Sequence, residues 1–137
     1  MKVHLFTYGS LMFEPVWNRV VNGRYQGIAA RAYGYQRKRI NDALYPALIP
    51  GNPDEFVDGI IYLDIDCEDL RRLDLFEGDE YLRSSLSCET TDQGSLAAEG
   101  YLFKDSLRHR LSDQDWDPHG FVQYDLQTFI AEYHGMT

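Results

Sequence analysis

The sequence predicts an α+β domain: a small mixed, mostly antiparallel sheet, curled toward a β-barrel, with flanking helices outside. Three observations point there. Strand and helix signals alternate along the chain, with no repeat, low-complexity run or linker between them. Strand signals follow one another with few helices to serve as crossovers, which favours antiparallel neighbours over a wound parallel sheet. The 137 residues, 44% of them apolar, are enough for one domain, residues 1–137, that folds on its own core without disulfide or metal.

Val3 to Tyr8 is β-prone and stops at Gly9-Ser10, so a strand runs into a loop. Glu14-Pro15 opens a short helix whose apolar face is Val16, Val20 and Val21, with Gly23 as its stop. Gly27 to Ile40 reads as one long strand or two joined by a bend. Tyr45 to Ile49 and Phe56 to Ile65 are further strands, separated by the Pro50-Gly51-Asn52-Pro53 turn. Asp66 caps a helix over 67–77, with Asp69 in the capping-box position. Tyr81 to Thr90 and Leu96 to Phe103 form a hairpin around Asp92-Gln93-Gly94. Asp117-Pro118 starts a last helix, with Val122, Leu126, Phe129, Ile130 and Tyr133 along one face and Gly135 closing it.

Composition removes several classes of function. Lys and Arg number 13 against 22 Asp and Glu, a net charge of −9, which argues against nucleic acid as a partner. No apolar run approaches the length of a membrane span, so no membrane partner is expected. The first residues lack the apolar core of a signal peptide, which points to the cytoplasm. Cys67 and Cys88 form no CxxC and the four histidines are scattered, so no metal is expected, and both cysteines read as free thiols. Asp64-Ile65-Asp66 and Asp113, Asp115, Asp117 mimic calcium loops but lack the Gly and Glu such loops require, and read as solvated acidic turns. Arg37-Lys38-Arg39 is the one compact basic cluster. It is either a solvated strand end or a positive patch that steers an acidic small molecule.

Glu77 is the first candidate for chemistry. At about 100° per residue from Leu70, Leu73 falls at about 300° and Glu77 at about 340°, inside the apolar stripe. It also sits in the last turn, where the negative end of the helix dipole opposes a carboxylate. Burial and dipole together raise the pKa of such a carboxyl and suit it to exchange protons near neutral pH. Two plainer outcomes stay open: Glu77 frays to solvent, or it pairs with Arg83. Asp74, Asp79 and Glu80 read as outward and solvated.

The second candidate is Tyr8-Gly9-Ser10-Leu11, a strand end whose successive amides can converge on an anion or a polarised carbonyl. Ser10 as a nucleophile has no GxSxG context and no His base nearby in sequence.

Together these pieces resemble the γ-glutamylcyclotransferase-like superfamily, and more narrowly its AIG2-like and γ-glutamylamine cyclotransferase branch. Tyr8-Gly9-Ser10-Leu11-Met12 is similar to the YGxL signature. The likeness continues through Gly34-Tyr35-Gln36-Arg37, Tyr45-Pro46-Ala47 and Val57-Asp58-Gly59-Ile60-Ile61-Tyr62. It is strongest at Leu73-Asp74-Leu75-Phe76-Glu77-Gly78-Asp79-Glu80-Tyr81-Leu82-Arg83, and Asp115-Trp116 with Phe121 resembles the family's terminal helix region. The resemblance implies a small mixed β-barrel with flanking helices, a catalytic Glu at Glu77 and a substrate loop at Tyr8, Gly9, Ser10 and Leu11. It implies closure of a γ-glutamyl group to 5-oxoproline with release of an amine, without cofactor. Tyr45, Tyr81, Arg83 and Arg37 are supporting candidates for substrate contact. A non-catalytic binding module with the same pocket, and a serine hydrolase using Ser10, are the competing readings. The leaving amine and the oligomeric state carry no signal in the sequence.

Overall fold

The computed structural model describes residues 2–133. Its elements are β1 (Val3–Thr7), α1 (Glu14–Val20), β2 (Gly27–Tyr33), β3 (Tyr35–Ile40), β4 (Pro46–Pro50), β5 (Phe56–Ile65), α2 (Cys67–Glu77), β6 (Tyr81–Thr90), β7 (Gly94–Phe103) and β8 (Leu111–Asp115). A helical run ends them: α3 (Pro118–Gly120), a π-type segment (Phe121–Asp125) and α4 (Leu126–Tyr133).

Five strands close into a barrel in the order β1-β5-β2-β6-β7. All pairings are antiparallel except the closure, where β1 meets β7 in parallel with Leu5 opposite Glu99. The barrel is therefore mixed and mostly antiparallel, as predicted. A second sheet, β4-β3-β8, lies beside it. Of the two readings of Gly27 to Ile40, two strands joined by a bend is the one found, and the bend is Gly34, whose φ of 87° is open to glycine and costly for other residues. It sends β2 into the barrel and β3 into the second sheet. β8 is an addition to the sequence reading. Leu-Ser-Asp-Gln-Asp has no strand-like alternation of burial, and β3 alone holds it.

Successive side chains of a strand point to opposite faces, so neighbours Leu5 and Phe6 join different apolar clusters. Phe6, Ala30, Ala32, Val57, Ile61, Leu86, Cys88 and Ala98 come only from strands and fill the barrel, with Leu48 of β4 against them. Leu5, Trp17, Leu70, Leu73, Phe121 and Phe129 belong to the cluster between barrel and helices.

Asp66 caps α2 as predicted, its carboxylate accepting from the Asp69 amide at 2.8 Å. Asp69 does not return the contact. It is 1% exposed and accepts from the amides of Asn22 and Gly23, the Tyr25 hydroxyl and Arg72, at 2.7–2.9 Å. This carboxylate fastens the start of α2 to the segment after α1.

Asp117 caps the terminal run through the amides of His119 and Gly120. The π-type segment widens one turn and shifts the helical phase. Phe121 and Phe129 are buried, the latter as expected, while Val122, also expected on the apolar face, is exposed. Gly135, the expected stop, lies outside the described residues. Both cysteines are free, Cys67 exposed and Cys88 buried. No helix among the described residues is long and apolar enough to cross a membrane.

Candidate active site

Glu77 ends α2, one turn beyond the buried Leu73 and two beyond Leu70. It is partly buried. Burial, with like charge from Glu80 and then Asp74, pushes its carboxyl up to about 8. Among the described residues no hydrogen bond or ion pair holds its side chain. Burial is the first cause that raises the phenols of Tyr8, Tyr81 and Tyr101, Asp74 adds to it at Tyr101, and the Glu77 carboxyl contributes at all three.

The Arg83–Glu77 bridge left open by the sequence does not form. Arg83 donates through Nε and Nη2 to Asp74, at 2.9 and 3.2 Å, and through Nη1 to Glu99. Asp74 also accepts from the Tyr101 hydroxyl at 2.7 Å. Glu80 accepts from the Tyr45 hydroxyl and from Arg110, each at 2.6 Å. Asp74 and Glu80 thus correct the sequence reading: both are partly buried and bonded, whereas Asp79 is exposed as expected. The same helical wheel carried a signal for Asp74, which falls at about 40°, beside the apolar stripe. Nothing in the sequence marked Tyr101 or Arg110 as their partners.

Tyr8 and Tyr81 are both buried, and burial is the main reason their phenols titrate well above the ordinary range. Tyr8 donates to the Tyr101 carbonyl and Tyr81 to the Pro46 carbonyl, each at 2.6 Å. Pro46 lies directly against Gly9: a Cβ there would meet the proline Cγ and Cδ at 2.8 Å. Tyr45 stacks obliquely on Tyr81, with ring centroids 6.3 Å apart. The structure therefore brings Tyr8, Gly9, Tyr45 and Tyr81 into one assembly beside Glu77.

Ser10 and Leu11 are buried and begin a 3₁₀ turn, Ser10–Met12, whose first amides have no partner inside the turn. Arg37 braces this loop, donating to the carbonyls of Tyr8 at 2.9 Å and Asp58 at 3.2 Å, with its guanidinium 5.4 Å from the Trp116 ring. Burial lowers its pKa from the ordinary value. The basic cluster does not act as one patch. Lys38 pairs with Asp115 at 2.7 Å, and Arg39 is exposed. Among the described residues no group of three His, Cys, Asp or Glu is placed to hold a metal.

Among the described residues, the helix that flanks the barrel thus ends in a partly buried carboxyl without a hydrogen-bond or ion-pair partner, beside buried tyrosines and the Ser10–Met12 turn. The chain belongs to the family described as γ-glutamyl cyclotransferase, AIG2-like, whose pattern matches residues 5–118. AIG2-like protein C of Arabidopsis thaliana is 30% identical over 128 residues, 93% of this chain and 73% of that protein. Two solved structures share the fold. One is an Arabidopsis thaliana protein in solution, with TM-score 0.74, 20% identity, and coverage of 99% of this chain and 82% of the other. The other is a γ-glutamyl cyclotransferase, with TM-score 0.64, 18% identity, and coverage of 76% and 68%.

Proposed function

We propose that the protein cyclises a γ-glutamyl group to 5-oxoproline and releases an amine or amino acid, with Glu77 as the general acid/base. The observation that carries this reading is the Glu77 carboxyl: partly buried, unpaired among the described residues, and pushed up to about 8.

The substrate carries its own nucleophile. Its α-amine attacks the γ-carbonyl carbon, a C–N bond closes the five-membered ring, and the C–N bond to the leaving amine breaks. The ring closure is intramolecular, so the protein has to hold a folded-back conformer and move protons. The α-ammonium gives up two protons on becoming a lactam nitrogen, and the leaving amine takes up two on departing as an ammonium. A carboxyl near 8 lies closer to an amine in proton affinity than one at the ordinary 4.5, which favours exchange in both directions.

The other candidates take supporting roles. The amides of Gly9, Ser10 and Leu11 receive the α-carboxylate or the developing oxyanion. Tyr8, Tyr45 and Tyr81 wall the glutamyl moiety. Arg37 holds the loop by its Tyr8 carbonyl, and Arg83 acts by fixing Asp74. The test is incubation with a panel of γ-glutamyl amines and dipeptides, with detection of 5-oxoproline. Saturable binding of a panel member with no 5-oxoproline would make the chain a binding module and overturn the proposal.

A further inference from the structure

Tyr101, on β7, is 4% exposed and belongs to the cluster between barrel and helices. It is bonded at both ends. Its hydroxyl donates to Asp74 Oδ1 at 2.7 Å, and its backbone carbonyl accepts from the Tyr8 hydroxyl at 2.6 Å. Asp74 stands three residues before Glu77 on α2, and its own backbone carbonyl accepts from the amide of Gly78, the residue after Glu77. Glu77 therefore lies inside the turn that Asp74 closes. Tyr8 leads directly into Gly9, Ser10 and Leu11.

The tie to α2 is braced from the side. Arg83 lies opposite Tyr101 in the β6–β7 register and donates to the same carboxylate through Nε and Nη2, at 2.9 and 3.2 Å. Its Nη1 reaches Glu99, two residues before Tyr101 and so on the same face of β7. One carboxylate of α2 is thus docked on two neighbouring strands. A phenylalanine ring would fill the space of the Tyr101 ring and would lack the bond to Asp74.

We infer that Tyr101 is a positioning residue that sets the end of α2 carrying Glu77 against the Tyr8–Leu11 loop. The inference rests on the reading of Glu77 as the acid/base, and extends it to the residue that spans the two halves of the site. A proton carrier has to sit within hydrogen-bond reach of the nitrogens it serves. A misplacement of about 1 Å can cost about 10²-fold in rate. Tyr101 meets this need by hydrogen bonds alone: the hydroxyl holds the helix end and the carbonyl holds the residue before the loop.

The test variant is Tyr101→Phe, which keeps the ring and the backbone carbonyl that receives Tyr8. In 5-oxoproline formation kcat should fall about tenfold or more, with KM changed less than about threefold, because the loop side of the tie is intact. Amide hydrogen exchange, read by NMR, should show Gly78 losing about tenfold in protection while the β6–β7 ladder keeps its own. In an Asp74→Ala background the partner of the hydroxyl is already gone, so adding Tyr101→Phe should lower kcat by less than about twofold further. An unchanged kcat, a loss carried by KM, unchanged protection at Gly78, a full effect without Asp74, or a Tyr101→Phe chain that does not fold would each overturn the inference. Absence of 5-oxoproline from the unmodified protein would instead overturn the reading of the site, and the exchange at Gly78 would still show whether Tyr101 holds the end of α2.

Discussion

Arg83 gives Nε and Nη2 to Asp74, at 2.9 and 3.2 Å, and makes no bridge to Glu77. An arginine on Glu77 would hold that carboxyl ionised and low in proton affinity. Directed to Asp74, it leaves Glu77 under burial and like charge, and the carboxyl titrates at about 8. Asp74 also anchors the Tyr101 hydroxyl, whose backbone carbonyl receives the hydroxyl of Tyr8.

Asp74→Asn should lower both stability and the titration of Glu77. Losing the charged partner of Arg83 and Tyr101 costs about 1–3 kcal/mol in urea denaturation. Removing one like charge makes the base form of Glu77 available at lower pH. The acid limb of 5-oxoproline formation should therefore move toward acid, by about half a unit.

Glu77 itself makes stability fall with rising pH. Its folded value of about 8 lies above the ordinary 4.5, so between these values the folded protein holds a proton that the unfolded chain has lost. This contribution is intact below 4.5 and is lost as pH rises through 8. Glu77→Gln cannot ionise and escapes the penalty. It should equal the unmodified protein near pH 4 and exceed it above pH 8 by on the order of 2–4 kcal/mol, read from denaturation curves across that range.

Asp69 titrates in the opposite sense. Burial opposes its charge, but the hydrogen bonds from Asn22, Tyr25, Gly23 and Arg72 outweigh it and hold the carboxyl below the usual range. Its stabilisation is present above the unfolded value and lost as pH falls through the folded one. Asp69→Asn should destabilise by about 3–5 kcal/mol at pH 7 and by clearly less at pH 3, in urea titrations at the two values.

Gly9→Ala tests the packing beneath the loop. The new Cβ would lie 2.8 Å from two carbons of the stiff Pro46 ring, so loop and proline must part. Pro46 also receives the Tyr81 hydroxyl, which carries the displacement into the tyrosine assembly. A loss of about 1–3 kcal/mol is expected, with weaker binding of a γ-glutamyl ligand in calorimetry.

Local pattern made much of this molecule legible in its sequence. Asp66 before an apolar stripe announced α2, and the wheel through Leu70 and Leu73 put Glu77 on the inner side. A bend somewhere within Gly27 to Ile40 was visible as an alternative, but its place at Gly34 and the assignment of β2 and β3 to separate sheets depend on distant partners. β8 escaped because a polar strand held at one edge lacks hydrophobic periodicity. Asp69 escaped because its capping spacing hid a long-range role, with Asn22 and Gly23 brought up by the fold. The same holds for Arg110, whose meeting with Glu80 arises only when the second sheet closes on the barrel.

The most direct measurement is 5-oxoproline release from γ-glutamyl compounds by the unmodified protein and by Glu77→Gln, side by side, with folding checked by circular dichroism. The proposed mechanism predicts turnover of at least one compound by the unmodified protein, and a loss of about 10²–10⁴-fold in a folded Glu77→Gln variant. Turnover preserved in that variant would contradict the assignment of Glu77 as the proton carrier.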